Sequence, residues 1–292
     1  MKYFDKHPLL MIVIGVIGIG LSSIFVRLSE APSAVTAAWR LLWTVGLMSP
    51  VVLGKVSVRQ EIIRGKKKQI SLSILSGVFL AIHFVTWFES LKHTSVASST
   101  TIVCTEVIWV SLGYCLFLKG KLRSKAVAAI AVTFLGSVMI ALADSGSGAH
   151  LYGDVLALVA AVAVGIYTLI GGQVRKNMST SAYTYIVYLS CAACLMAACG
   201  IQELSLVEYG FRPVIVGCLL AVFSTILGHS IFSWCLKYFS PSFVSASKLC
   251  EPVVSAVIAA FLFCEIPGLW QVAGAVLILT GVLSYSRLER SQ

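Results

Sequence analysis

The stretch "SASKLCEPVVSAVIAAFLF" at residues 245–263 is apolar enough to form a membrane helix, yet it contains a lysine, a glutamate and a proline. Lys248 and Glu251 are costly in hydrocarbon because they lose their hydration, and Pro252 removes a helical hydrogen bond. Ionisable residues inside a membrane span usually face a cavity or a partner and mark a pathway. The stretch therefore predicts a membrane helix that carries part of a functional site.

The rest of the chain has the same apolar character. Of its 292 residues, 58% are hydrophobic and only 12% are charged, whereas a soluble domain carries about 25% charged residues. A membrane-spanning helix needs about 20 mostly apolar residues. We therefore predict an all-α polytopic membrane protein with ten transmembrane helices, numbered span 1 to span 10, at residues 8–28, 34–54, 70–91, 97–118, 125–143, 152–171, 183–200, 214–235, 243–263 and 269–286.

The distribution of basic residues predicts the orientation of these spans. If both termini are cytoplasmic, 17 of the 22 Lys and Arg residues lie in cytoplasmic segments and three in outer segments. The remaining two, Arg40 and Lys248, lie within spans. This is the bias expected of a multi-pass protein in a cytoplasmic membrane. It explains the net charge of +10, so we expect the lipid bilayer as a partner and no nucleic acid.

The nine cysteines all lie within or beside apolar runs, where cysteine behaves as a small apolar residue. We expect no metal site and no cofactor.

The chain also contains an internal repeat with an offset of 145 residues, which predicts two halves at 1–145 and 146–292. Each half has five spans, an odd number, so the second half is predicted to lie inverted in the membrane. Two inverted five-helix repeats are typical of secondary transporters that bind their substrate near the midplane. The matching pairs are Gly20 and Gly165, Leu75 and Leu220, Leu91 and Leu236, Ser95 and Ser240, Glu106 and Glu251, and Gly136 and Gly281.

Two carboxyl groups are predicted to approach the midplane from opposite faces. Glu106 is about ten residues into span 4 and Glu251 about nine into span 9, which places each roughly 12–15 Å from its own side of the membrane. Lys248 is three residues before Glu251, so the two can form an ion pair. That pair is either structural or part of a binding site, and Lys248 can also reach the nearby membrane surface. Glu106 has no lysine one turn away, and because burial favours a neutral carboxyl it can carry a coupling proton.

Further polar and aromatic residues within the spans are candidates for substrate binding. Arg40 in span 2 needs a carboxylate, for which Glu89 or Glu106 is available, unless it extends outward to the membrane surface. His83 and His229 occupy nearly equivalent positions, one residue out of the repeat register. They are candidates for binding, together with Trp87, although intramembrane histidines and aromatics more often serve packing.

Pro252 is predicted to kink span 9 and to act as a hinge. The equivalent residue in span 4 is Val107, so we expect span 9 to be the more bent of the two.

Three stretches resemble the EamA-type transporters of the drug/metabolite transporter superfamily. They are "SSIFVRLSEAPSAVTAAWRLL" at 22–42, "SLKHTSVASST" at 90–100 and "WCLKYFSPSFVSASKLCEPVVSAVIAAFLFCEIP" at 234–267. The resemblance covers both halves, and it implies an inner-membrane carrier, usually an exporter of amino acids or other small metabolites, with a cavity between the repeats. Lys248 departs from the family pattern, in which an apolar residue is more usual.

The sequence thus predicts a secondary active transporter of small polar solutes, in which Glu106 and Glu251 would bind an amino group of the substrate or a coupling proton. Lys248 would then hold an anionic group of the substrate. Efflux of cationic drugs or toxic metabolites is the alternative, and a passive channel is a further one. An enzyme is disfavoured because no H-E-x-x-H or G-x-S-x-G pattern occurs, and no Walker A sequence indicates an ATPase. The pattern names neither the solute nor an oligomeric state.

Overall fold

The computed structural model describes residues 8–94, 96–144, 151–254, 257–258 and 268–290, and all regular secondary structure in this part is helical. The all-α class predicted from the sequence is confirmed. The first half contains helices Pro8–Gly20, Ser22–Arg27, Ser33–Gly54, Val56–Arg64, Lys67–His93, Val96–Cys104, Glu106–Phe117 and Ser124–Asp144. The second half contains Leu151–Val174, Thr180–Ile201, Arg212–Leu219, a π-helix at Leu220–His229, Ser230–Cys235, Pro241–Lys248 and Leu269–Arg290.

In the described part of the chain, seven helical segments are long and apolar enough to cross a membrane, and they correspond to predicted spans 1–4 and 6–8. Shorter apolar helices at Ser124–Met139 and Val272–Leu288 correspond to spans 5 and 10. Span 9 begins at Pro241, but most of its predicted second half lies outside the described residues. The chain is therefore a multi-pass membrane protein, and the count of ten membrane helices stays a prediction.

The short helix Val56–Arg64 between spans 2 and 3 is not predicted by the hydropathy pattern. It is too short and too charged to cross a membrane, and Val58 is its one buried residue. It packs against spans 2 and 7, with the basic side chains of Arg59 and Arg64 exposed.

Span 4 is interrupted immediately before its glutamate. The helix Val96–Cys104 ends, Thr105 forms a turn with its N–H bonded to the carbonyl of Ile102, and a new helix begins at Glu106. The sequence does not predict this break, because no proline or glycine lies there.

Span 9 is interrupted at the equivalent depth. The helix Pro241–Lys248 ends, residues 249–250 form a turn, and helical geometry resumes at Glu251. Pro252 has no N–H to donate to the turn before it, which accounts for the break. The interruption is one residue longer than in span 4, and the hinge role of Pro252 stays a prediction.

The two halves of the chain are interleaved. Span 3 packs along span 6 and span 8 packs along span 1, so the third helix of each half lies against the first helix of the other. Spans 5 and 10 pack on each other at the repeat-related glycines. A Cβ on Gly136 would lie 2.6 Å from the carbonyl oxygen of Gly274, and one on Gly281 would lie 2.9 Å from that of Ala129. Both contacts need a glycine because the backbones approach so closely.

A second pair of repeat-related glycines brings spans 1 and 6 against the two interrupted spans. A Cβ on Gly20 would lie 3.8 Å from the carbonyl oxygen of Glu251, and a Cβ on Gly165 would lie 3.8 Å from that of Glu106. The same local packing therefore occurs twice, once around each midplane glutamate.

Candidate functional site

A central cavity lies between the two halves, and it brings together six of the predicted site residues. With a volume of about 40 Å³ it holds only a few water molecules, so a metabolite needs it to widen. The predicted residues on its wall are His83, Trp87, Glu106, His229, Lys248 and Glu251. The other lining residues are Ile19, Ser22, Thr100, Val103 and Val164.

Lys248 forms an ion pair with Glu106 and not with Glu251. Its Nζ donates to Glu106 Oε1 at 2.9 Å, and both side chains are largely buried. The same ammonium lies 3.4 Å from Thr168 Oγ1 and 5.6 Å from the centre of the Phe232 ring. The predicted pairing with Glu251 is wrong because the helix ends at Lys248, and the turn that follows breaks the i,i+3 geometry of a continuous helix.

Glu251 lines the same cavity, and its carboxylate has no ion-pair or hydrogen-bond partner among the described residues. The expectation that Glu106 is the carboxyl without a lysine is therefore reversed. Lys248 joins span 9 to span 4 and neutralises the glutamate of the other half. Glu251 is the carboxyl that remains available to a cation or a proton.

The two predicted histidines meet at the cavity, with their ring centroids 6.4 Å apart. His83 Nδ1 donates to the carbonyl of Ala160 at 3.0 Å, and the ring stacks on Trp87 at 5.8 Å between centroids. His229 packs edge-on against Phe84 and Tyr167.

The π-helix explains why the histidines are one residue out of the repeat register. The repeat partner of His83 is Gly228, where a Cβ would lie 2.8 Å from Cγ2 of Ile19. Span 1 thus leaves no room for a histidine at position 228. A π-helix takes more residues per turn than an α-helix, so the stretch Leu220–His229 turns the next residue, His229, toward the cavity.

Arg40 lies beside the cavity, but neither predicted environment is found. It is fully buried, with 0% of its surface exposed, so it does not extend outward. Glu106 is paired with Lys248, and Glu89 binds Ser33 and Lys92 instead. No carboxylate of the described residues pairs with Arg40. Sequence reasoning missed this because it could not show which cation reaches Glu106.

The guanidinium of Arg40 is held by uncharged groups. Nε donates to Thr225 Oγ1 at 2.7 Å, and Nη1 lies 3.4 Å from Ser22 Oγ. Its Cζ lies 4.1 Å from the centre of the Phe84 ring, a cation–π contact. Nη2 has no hydrogen-bond partner in the described part of the chain.

Four buried polar atoms around the cavity share this lack of a partner among the described residues, although buried polar groups are normally hydrogen-bonded. They belong to four side chains on both halves. The wall thus offers hydrogen-bonding capacity to a polar guest. The atoms are Arg40 Nη2, Trp87 Nε1, Thr100 Oγ1 and His229 Nδ1.

A group of buried hydrogen bonds lies toward the end of the bundle at which span 9 begins. The hydroxyls of Tyr167 and Ser233 lie 2.9 Å apart, and those of Ser76 and Tyr183 lie 2.8 Å apart. Arg175 Nε donates to the carbonyl of Ser233 at 2.9 Å. Burial lowers the pKa of Arg175, and the nearby side chains of Tyr183 and Glu61 oppose that shift.

Two residues at the site were not predicted from the sequence. Thr168, beside the Lys248 ammonium, is a hydroxyl residue three positions after the repeat glycine Gly165, and that spacing is the signal that could have found it. Val103, on the cavity wall, is the repeat partner of Lys248, so the offset of 145 residues predicts its position.

An all-helical, multi-pass membrane chain with a buried ion pair in a central cavity is the kind of protein that moves solutes across membranes. The family model described as "EamA-like transporter family" matches residues 7–142 and again residues 151–287. The chain belongs to the EamA-like transporter family, and it is a transporter and not an enzyme.

Relatives that match 80% or more of the chain carry transporter names. "Probable amino-acid metabolite efflux pump" of Escherichia coli (strain K12) is 25% identical, covering 94% of this chain and 92% of its own. "Pseudopaline exporter CntI" of Pseudomonas aeruginosa (strain UCBPP-PA14) is 24% identical over 80% and 81% of the two chains. "Uncharacterized transporter YyaM" of Bacillus subtilis (strain 168) is 24% identical over 89% and 86%.

A solved crystal structure also matches, with a TM-score of 0.78 over 98% of both chains at 17% sequence identity. At this identity the likeness shows the fold alone.

Proposed function

We propose that this chain is a secondary active transporter that exports small polar metabolites, amino acids or related solutes, across the cytoplasmic membrane by alternating access. The observation that carries the proposal is the Lys248–Glu106 ion pair in a cavity shared by both halves. A motion of one half against the other changes this contact directly. Two relatives named as an exporter and as an efflux pump support the direction and the kind of solute.

The ion pair gives the two carboxyl groups of the cavity different roles. Removing one partner from a buried ion pair leaves the other charge unpaired at high cost. Lys248 therefore stays with Glu106 and joins the two halves there, so that solute binding acts through the other carboxyl. Glu251 has no partner among the described residues, so it binds a substrate ammonium or the coupling proton in turn. Exchange of these two cations at Glu251 would link proton entry to solute exit.

We further propose that both termini are cytoplasmic and that the halves 1–145 and 146–292 are inverted repeats. The excess of Lys and Arg in the predicted cytoplasmic segments supports the orientation. The matching contacts of Gly20 with Glu251 and of Gly165 with Glu106 support a repeated fold. In this topology the hydrogen-bonded end of the bundle, where span 9 begins, faces the cytoplasm.

Efflux of cationic solutes is the second candidate. The unpartnered carboxylate of Glu251 favours it, because a cation without an anionic group can bind there alone. Arg40 opposes it, since a second buried cation beside the cavity repels such a solute.

Counterflow in proteoliposomes tests the proposal. Labelled amino acids should enter vesicles preloaded with the unlabelled compound, and the rate should saturate. The double variant Glu106→Gln/Glu251→Gln should lose exchange and its pH dependence, whereas Glu208→Gln, at an exposed site away from the cavity, should behave as wild type. A linear, unsaturable flux would identify a channel. Unchanged transport in the double variant would refute the role of the two carboxyls.

A further inference from the structure

Arg40 is the buried cation of the central region that has no carboxylate partner among the described residues. Lys248 is also a buried cation of this region, but its ammonium contacts Glu106 at 2.9 Å. Arg40 has 0% of its surface exposed and makes one short hydrogen bond, to Thr225. A structural arginine inside a membrane usually has its charge matched by an anion or by several carbonyls. The charge of Glu251 acts on Arg40, but no carboxylate of the described residues lies within ion-pair distance of the guanidinium.

The unused part of the guanidinium is the edge that binds carboxylates. Nη2 has no partner among the described residues, and Nη1 has only the long 3.4 Å contact to Ser22 Oγ. A guanidinium presents parallel N–H groups that match the two oxygens of a carboxylate. Nε, in contrast, is tied to Thr225 and fixes the plane of the group.

One hydroxyl separates Arg40 from the cavity. Ser22 lines the cavity and is also the residue in contact with Nη1. Rotation of the small serine side chain removes the contact at little cost, because a 3.4 Å hydrogen bond is weak. The face of Phe84, 4.1 Å from Cζ, keeps the guanidinium in place while this happens.

We propose that Arg40 binds the carboxylate of the transported solute through Nη1 and Nη2, with Ser22 as the group that the carboxylate displaces. This inference rests on the proposed transport function and assigns one end of the solute. Glu251, on the wall of the same cavity, takes the ammonium end. Lys248 is excluded as the carboxylate ligand because its charge is already used by Glu106. The solute is then a zwitterion whose two charges replace two missing partners in the protein.

Matched ligands test this assignment. Leucine, leucinamide and 4-methylpentanoate share one side chain but differ in the carboxylate or the amine, and the same triplet can be built for other amino acids. Affinity is measured by thermal shift on the full-length protein in detergent. The wild type should bind the amino acid about tenfold or more tightly than its amide, as expected for charge-assisted hydrogen bonds. Arg40→Gln should remove that preference, and Glu251→Gln should remove the preference over the amine-free acid.

A second variant keeps the test valid if Arg40→Gln does not fold. Ser22→Ala frees Nη1, so it should strengthen the binding of the amino acid and leave the binding of the amide unchanged. Ser23→Ala, the neighbouring serine outside the cavity wall, is the control and should change neither. Equal effects of Ser22→Ala on the acid and the amide would overturn the assignment. So would a preference for the acid that survives in Arg40→Gln.

The outcome is distinguishable from failure of the transport proposal itself. If the wild type shows saturable counterflow but prefers amides and amines to acids, transport stands and Arg40 is a structural residue. If the wild type shows no counterflow of any member of the triplets, transport of amino acids fails and the assignment of Arg40 fails with it.

Discussion

Glu106 and Glu251 are repeat partners in a similar backbone setting, yet only one of them is paired among the described residues. Each follows a break in its helix, and each has its carbonyl oxygen 3.8 Å from the Cβ position of a repeat-related glycine. Glu106 accepts a hydrogen bond from Lys248, whereas Glu251 has no partner among the described residues. The repeat partner of Lys248 is Val103, which also lies on the cavity wall. The difference between the two glutamates therefore comes from one residue, the lysine that has no counterpart in the first half.

Different positions of the repeat build the scaffold and carry the function. The repeated positions, glycines and helix breaks, build the same frame twice around the cavity. The positions at which the halves differ, Lys248 against Val103 and Pro252 against Val107, give each half a distinct role. A carrier needs such a difference if one carboxyl is to hold the two halves together while the other exchanges its cation.

The largest expected effect on stability comes from breaking the ion pair between Lys248 and Glu106. Lys248→Met should destabilise the protein by about 3–5 kcal/mol, because it leaves a buried carboxylate unpaired. Adding Glu106→Gln should restore most of that loss, whereas adding Glu251→Gln should not. Unfolding in detergent, followed by tryptophan fluorescence, measures the three variants. Equal rescue by both glutamine substitutions would mean that Lys248 serves the two carboxyls alike.

The sequence predicted which residues meet, but not how they pair. The depth of Glu106, Glu251 and Lys248 in their spans follows from counting residues, and all three line one cavity. Pairing depends on how span 9 crosses span 4 and on where each helix is interrupted. Those are tertiary properties, and the break at Thr105 has no local signal in the sequence. The i,i+3 rule assumed a continuous helix, which is why it favoured Glu251.

The second effect concerns spans 3 and 8, of which only span 8 contains a π-helix. Gly18 on span 1 packs against that π-helix, and a Cβ there would lie 2.6 Å from the carbonyl oxygen of Phe223. Gly18→Ala should therefore cost about 1–3 kcal/mol through overpacking. Its repeat partner is Ala163, which packs without a π-helix opposite, and Ala163→Gly should cost only about 1 kcal/mol through helix propensity. Thermal unfolding of the two variants compares the sites.

A Gly18→Ala variant as stable as wild type would show that the π-helix can relax.

The one-residue offset between His83 and His229 was visible in the sequence, but its cause was not. Hydropathy patterns assume α-helical spacing, so they cannot distinguish a shifted residue from a change of helix type. Hydropathy patterns also did not predict the helix Val56–Arg64, because it is too short to give a membrane signal.

The third effect separates the two carboxyls in transport. One unit of pH gradient can drive about tenfold accumulation for each coupled proton. Glu251→Gln should lose this accumulation and keep only downhill exchange with a weaker affinity for the solute, because the Lys248–Glu106 pair is intact but the ammonium site is changed. Glu106→Gln should lose both, since Lys248 is then unpaired. Accumulation ratios in proteoliposomes with an imposed gradient measure the difference. Retained accumulation in Glu251→Gln, with loss only in Glu106→Gln, would exchange the roles of the two residues.

The smallest effect compares the two ends of the bundle, where the first half contacts the second through exposed polar groups. Glu61 accepts hydrogen bonds from the N–H of Ser179, at 2.6 Å, and from its hydroxyl at the proposed cytoplasmic end. Glu30 pairs with Arg212 at the other end. Each contact is exposed and worth less than about 1 kcal/mol, so neither controls folding.

Glu61→Gln should still shift the balance toward opening at the cytoplasmic end, because it weakens the cap on the helix that begins at Thr180. Cys235, fully buried near that end, reports the opening through its rate of alkylation, resolved by peptide mass spectrometry in inverted vesicles. The rate should rise severalfold in Glu61→Gln, within the roughly fivefold that 1 kcal/mol allows. It should not rise in Glu30→Gln, which weakens the opposite end. The same increase in both variants would mean that the two contacts stabilise the fold as a whole and have no part in selecting which end opens.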